Sequence, residues 1–156
     1  MIGIDTYSWT KILKLMEMGW RQLFTELLEA IPWFITDEIV EELHHFHPKS
    51  IETWGNGPVL KRLDKKFSDY VADGFDKADA SLLEYGDQEG YVVVTEDPRM
   101  LAQNVFERSN IIQLCDLLKE YHSREFLSAK EYKEIIVWLR KNRNLTERKI
   151  RRLLAT

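Results

Sequence analysis

The stretch Tyr91-Val92-Val93-Val94-Thr95-Glu96-Asp97 decides the fold class. Three consecutive valines leave no polar side for water, so a strand here is covered on both faces, as in the parallel sheets of α/β proteins. Gly90 before the run and Pro98 after its acidic end punctuate it. Working outward, Ile2-Gly3-Ile4 reads as a short buried strand, Trp33-Phe34-Ile35 behind Pro32 as another, and Ile111-Ile112-Gln113-Leu114 as a further one.

Helical spacing fills the gaps between these runs. Ile12, Met16, Trp20, Leu23, Leu27 and Ile31 recur at helical intervals from Ser8 to Ile31, with Gly19 as the break between two helices. Ile39, Val40, Leu43 and Phe46 form one stripe on a helix capped by Thr36 or Asp37 and closed near Pro48. Trp54-Gly55-Asn56-Gly57-Pro58 is a loop, followed by a mostly polar helix to about Val71. Asp76 caps a helix carrying Leu82 and Leu83, and another helix opens at Pro98. Strands alternating with helices predict an α/β fold: three Rossmann-like layers around a central parallel β-sheet. Beyond Asp116 the pattern is purely helical, with Ser128 and Thr146 as N-caps.

The chain of 156 residues is long enough for one domain with an appendage, and 44% apolar content supplies a core. Its net charge of −4 hides an asymmetry. Residues 119–156 carry 11 Lys/Arg against 5 Asp/Glu, whereas residues 1–118 carry 11 against 21. The expected organisation is therefore a domain over 1–118 and a basic helical C-terminal extension over 119–156. An acidic body repels nucleic acid, but a localised basic face still holds phosphates. Arg140, Lys141, Arg143, Arg148, Lys149, Arg151 and Arg152 are the candidates for such a face, set against a plain solvated helix surface. The lone Cys115 sits in an apolar run and reads as a buried thiol, which fits a reducing cytoplasm. No signal peptide and no membrane span is expected.

Four acids are placed unlike ordinary surface residues. Asp5 and Asp97 follow strands, and in a parallel sheet the carboxyl ends of the strands lie along the ligand-binding edge. Asp79 shares a helix face with Leu82, Leu83 and Gly86, so it points toward the core and needs a partner. On the helix of Ile39 and Leu43, Glu41 faces solvent and Glu42 borders the buried side, so Glu42 is the one able to reach inward. Taken singly, Asp5 and Asp97 also fit N-caps, and Asp76 reads as an N-cap first. Their joint order, strand end, helix, helix, strand end, is the stronger signal. Converging carboxylates repel, and oxygen-only donors suit Mg²⁺ or Mn²⁺. Thr95, Thr6 and Asp76 are auxiliary candidates, and Ser8 a weaker one. His44, His45 and His47 read as a helix end rather than a zinc site. Gly55-Asn56-Gly57-Pro58 lacks the ending of a phosphate loop. Trp9, Trp20, Trp33 and Trp138 read as core, and Trp54 as a residue able to stack on a base.

Ile2-Gly3-Ile4-Asp5-Thr6, Ile35-Thr36 through Val40-Glu41-Glu42-Leu43, Ala78-Asp79-Ala80-Ser81-Leu82-Leu83 and Val92-Val93-Val94-Thr95-Glu96-Asp97 together resemble the PIN domain family. The likeness covers roughly residues 1–118. It implies a Rossmann-like parallel sheet and a metal-dependent ribonuclease whose acidic residues fall on Asp5, Glu42, Asp79 and Asp97. It also implies RNA as substrate and a homodimer, and it includes toxin ribonucleases of the VapC kind, which have an antitoxin or other protein partner, beside RNA-processing enzymes. Three departures stand out: Tyr7 where the family carries a small polar residue, Glu96 where its last motif has Asn or Asp, and a helical tail after Asp116 that is longer than in the smallest members. Tyr7 favours the alternative of a catalytically silent PIN-like module that binds RNA or a protein partner. A phosphoacceptor domain of the receiver or haloacid-dehalogenase type ranks lower, because its second acid near the first strand and its late lysine do not occur.

Overall fold

Strands without a polar face demand cover on both sides, and helices supply it here. The computed structural model describes residues 1–46, 59–103, 110–142 and 146–155. Its sheet has five strands: β1 (Ile2–Ile4), β2 (Trp33–Thr36), β3 (Val59–Leu60), β4 (Val92–Val94) and β5 (Ile111–Ile112). They lie in the order β3-β2-β1-β4-β5, and every pairing is parallel. Between them run α1 (Thr6–Leu15), α2 (Arg21–Ala30), α3 (Asp37–Phe46), α4 (Phe67–Ala72), α5 (Lys77–Gly86) and α6 (Pro98–Leu101). The α/β reading with a central parallel sheet therefore holds.

The core explains the sheet's tight centre. Phe34, Val93, Val94, Leu82 and Leu83 are buried, and α5 packs on β2 and β4. Gly3 sits where a Cβ would stand 2.5 Å from Cζ of Phe34 and 3.0 Å from Cδ2 of Leu82. Only glycine lets α5 and Phe34 approach β1 this closely. Gly19 has φ of 110°, which breaks the long N-terminal pattern into α1 and α2 across a π-helical turn at Met16–Trp20.

Several local expectations change. Ile111–Ile112 is the whole of β5, because Gln113 turns away and forms a capping box with Asp116 that starts the next helix at Leu114. β3 is two residues long at the sheet edge, with Val59 exposed, too short for periodicity to register. Phe46, expected in the buried stripe of α3, is 63% exposed. Trp9 is core, whereas Trp20, Trp33 and Trp138 are only partly covered. Cys115 is a buried free thiol.

By its internal contacts the chain forms two compact units, Met1–Ile112 and Gln113–Thr156. The second contains α7 (Leu114–Ser123), α8 (Ala129–Lys141) and α9 (Glu147–Leu154). Its division falls after β5 rather than at the charge break near residue 118, because α7 packs against α8. Ser128 and Thr146 cap α8 and α9 as expected. Among the described residues no helix is long and apolar enough to cross a membrane.

Candidate functional site

The strand order reverses between β1 and β4, so connections leave the sheet centre in opposite directions and open a crevice beyond the carboxyl ends of these strands. Ile4 pairs with Val94, which brings the residues that follow, Asp5 and Thr95, side by side. Asp5 is 3% exposed. Its Oδ1 accepts from the backbone N–H of Ser8 at 2.8 Å, making it the N-cap of α1. Its Oδ2 accepts from the Thr95 hydroxyl at 2.5 Å. The same Thr95 oxygen accepts from the Asp97 N–H at 3.1 Å, so one buried threonine ties the ends of both central strands. Asp97 in turn caps α6, its Oδ1 accepting from the Arg99 N–H at 2.8 Å.

The helices bring the remaining acids. Thr36, fully buried at the end of β2, accepts from the Ile39 N–H and so starts α3; its hydroxyl also lies 2.8 Å from that of Ser81 on α5. With Ile39 and Leu43 buried, Glu42 is partly covered, and its Oε2 accepts from the Thr6 hydroxyl at 2.5 Å. Glu41 is exposed. Asp76 caps α5 by accepting from the Asp79 N–H. Among the described residues nothing donates a hydrogen bond to the Asp79 carboxylate.

The four predicted acids and all three auxiliary residues except Thr95 line one open cleft of about 700 Å³. Among the described residues its walls carry six acids, Asp5, Glu42, Asp76, Asp79, Glu96 and Asp97, together with Tyr7 and Phe46, and no lysine or arginine. The electrostatics register this imbalance. Burial pushes the Asp79 carboxyl up to about 7, reinforced by the charges of Asp76, Asp5, Asp97 and Glu42. Burial likewise raises Asp5, opposed by hydrogen bonds from Ser8 and Thr95 and reinforced by Asp97. Glu42 is raised by burial, against the Thr6 hydrogen bond and with Asp76, Asp5 and Glu41 adding to it.

Among the described residues, no group of three His, Cys, Asp or Glu side chains stands close enough to enclose an ion as placed. Asp5, Glu42 and Asp97 each turn toward a neutral donor, which is how mutually repelling carboxylates relax. The donor set nevertheless fits a hard cation: it is all oxygen and it is negative. Mg²⁺ in particular keeps several waters and takes one or two carboxylates, so it does not require a closed protein cage.

Sequence reasoning missed one structural clasp. The Arg99 guanidinium donates to the Asp73 carbonyl at 2.8 Å and lies 4.6 Å from the Phe75 ring centroid. It thereby ties α6, which Asp97 caps, to the turn before α5, which carries Asp79. No local signal announces it, because the partners lie 26 residues apart. The cap at Ser8, by contrast, is an ordinary Asp-x-x-Ser pattern.

In the second unit, Arg140, Lys141, Arg148, Arg151 and Arg152 are exposed. The Lys149 Nζ is 3.0 Å from Oδ1 of Asp116, at 19% side-chain exposure, so Lys149 is held by an internal ion pair. Arg143 lies outside the described residues, as do His47, Trp54 and the Gly55–Pro58 loop. His44 and His45 are exposed at the end of α3. No protein-family model, curated protein or solved structure matches this chain.

Proposed function

We propose that this chain is a divalent-metal-dependent endoribonuclease of the PIN type, hydrolysing RNA phosphodiester bonds at the acidic cleft. The observation that carries this reading is the gathering of six carboxylates, with no lysine or arginine among the described residues of the wall, at the switch point of a parallel sheet. A structural role for so many acids calls for cations or N–H donors, and Asp79 has neither among the described residues. Asp5, Glu42, Asp79 and Asp97 would hold Mg²⁺ or Mn²⁺, which would supply Lewis acidity and positive charge for phosphodiester hydrolysis.

The chain's own residues do the positioning. Thr95 and the Ser8 N–H fix both oxygens of Asp5, and Thr6 fixes Glu42. Asp97 is oriented by its cap on α6. Asp79, raised to about 7 by burial and by the charges of Asp76, Asp5, Asp97 and Glu42, is an acid whose charge state responds to pH near neutrality. RNA as substrate, a homodimer, an antitoxin or other protein partner, and a cytoplasmic setting belong to the same reading.

The test is RNA cleavage with Mn²⁺ by the wild-type chain and by Asp79→Asn. A loss of at least about a hundredfold is expected; equal activity overturns the assignment. A second reading, a catalytically silent module that binds RNA or a protein, is favoured by Tyr7 in the cleft wall and by the separation of the carboxylates. A rise in melting temperature with Mn²⁺ supports the first reading, and no rise supports the second.

A further inference from the structure

The cleft wall holds two aromatic rings beside its acids. Tyr7, on the first turn of α1, is 50% exposed, and Phe46, at the end of α3, is 63% exposed. Both line the same cleft as Asp5, Glu42 and Asp79. Tyr7 is held with the Lys11 Nζ 5.0 Å from its ring centroid, and Phe46 with the His45 ring edge-on at 4.9 Å. Two exposed rings on the wall of one cleft offer apolar surface that a ligand in that cleft would cover.

We propose that Tyr7 and Phe46 form a nucleobase subsite, each ring stacking on an unpaired base beside the scissile phosphate, so that the cleft takes single-stranded RNA. The inference rests on the nuclease reading and adds what holds the substrate. A wall of six carboxylates attracts phosphates only through the cations it holds. A neutral aromatic face does not share that difficulty, since every base offers a π-face whatever the salt. Paired bases keep their faces inside the duplex, which makes stacking on these rings selective for unpaired strands. On this reading Tyr7, at the position where a small polar residue was expected, is a substrate-binding residue.

The experiment is fluorescence-anisotropy binding of a labelled single-stranded oligoribonucleotide in Ca²⁺, with the RNA confirmed intact afterwards, and KM and kcat for cleavage in Mn²⁺. Tyr7→Ala and Phe46→Ala are each expected to weaken binding and raise KM about tenfold, given typical stacking contributions. Tyr7→Phe and Phe46→Tyr should restore both. The slope of log affinity against log salt should stay unchanged in all variants, because no phosphate contact is lost. A duplex of the same sequence should bind weakly to every variant. Both rings are exposed, so the fold survives their removal, and unaltered melting and Mn²⁺-induced stabilisation serve as the control.

Alanine variants with wild-type affinity and KM, in a protein that Mn²⁺ stabilises and that cleaves RNA, overturn the subsite and leave the nuclease reading intact. Failure of the phenylalanine variant to rescue Tyr7→Ala also overturns it, since the ring would not be what binds. Ring-dependent RNA binding without Mn²⁺ stabilisation or cleavage keeps the subsite and removes the nuclease. Absence of both cleavage and binding in the wild-type chain removes the two together.

Discussion

Asp79 and Glu84 lie about one and a half turns apart on α5, yet the protein treats their carboxylates in opposite ways. Glu84 is only 2% exposed, and each of its oxygens accepts a backbone N–H, from Leu63 at 2.8 Å and from Lys66 at 2.9 Å. The loop between β3 and α4 is thus folded around it, and its negative charge closes an account of backbone donors. Asp79 is less buried, receives no donor among the described residues, and faces further acids. Burial by itself therefore does not mark a site. What marks it is charge that the fold gathers and leaves uncompensated.

Exchanging each acid for its amide is the sharpest way to break this contrast. Asp79→Asn should abolish Mn²⁺-dependent cleavage while raising the melting temperature of the metal-free protein at pH 8, because it removes a repelled charge. A variant both inactive and less stable would show Asp79 to be a structural acid after all. Glu84→Gln should do the reverse. An amide can satisfy only one of the two N–H groups, so about 2 kcal/mol is lost, which corresponds to roughly 6 °C for a chain of this size. Cleavage at a temperature where the variant is folded should be unchanged. Urea unfolding and a cleavage assay on the same preparations decide both.

The next effect is smaller and concerns how the cleft is held. Thr95→Val keeps the shape of the buried side chain and removes the hydroxyl that donates to Asp5 and accepts from Asp97. Loss of that tether should lower kcat about tenfold, near 1.4 kcal/mol, while Thr95→Ser retains most of the activity. Equal rates for the valine variant would mean that Asp5 needs no orienting partner.

How much of this was legible follows the same contrast. Asp5, Asp79 and Asp97 were readable because each breaks a local pattern: an acid at the end of an apolar strand, or on the apolar stripe of a helix. Glu42 was readable by elimination from its neighbour Glu41. Glu84 sits in a stretch where every helical position from Ala80 to Gly86 is buried, so no wheel singles it out. Its partners come from a loop 18 to 21 residues earlier. Arg99 was invisible for the same reason. Phe46 misled because apolar periodicity assumes that a ring on the stripe finds cover, and this ring is 63% exposed at the cleft. β3 is too short to carry a period at all. Local chemistry is written in spacing, whereas compensation comes from distant segments and is not.

The smallest effect is the one that isolates Asp79 in the intact protein. Its carboxyl is raised from 3.8 to about 7 in the folded chain. Between those values the native state holds a proton that the unfolded state has released, so stability falls as pH rises through this window and the loss is complete above it. Because Asp79 is partly exposed, solvent screening reduces the net change between pH 5 and pH 8 to about 1 kcal/mol, or roughly 3 °C in melting temperature. Histidines also titrate here, so the quantity to measure is the wild-type slope minus that of Asp79→Asn, both in EDTA. Adding Mn²⁺ should reverse the sign for the wild type, because ionised carboxylates bind the metal and protonated ones do not. Parallel slopes for the two proteins, with or without Mn²⁺, would place Asp79 alongside Glu84 as one more acid that the fold itself has satisfied.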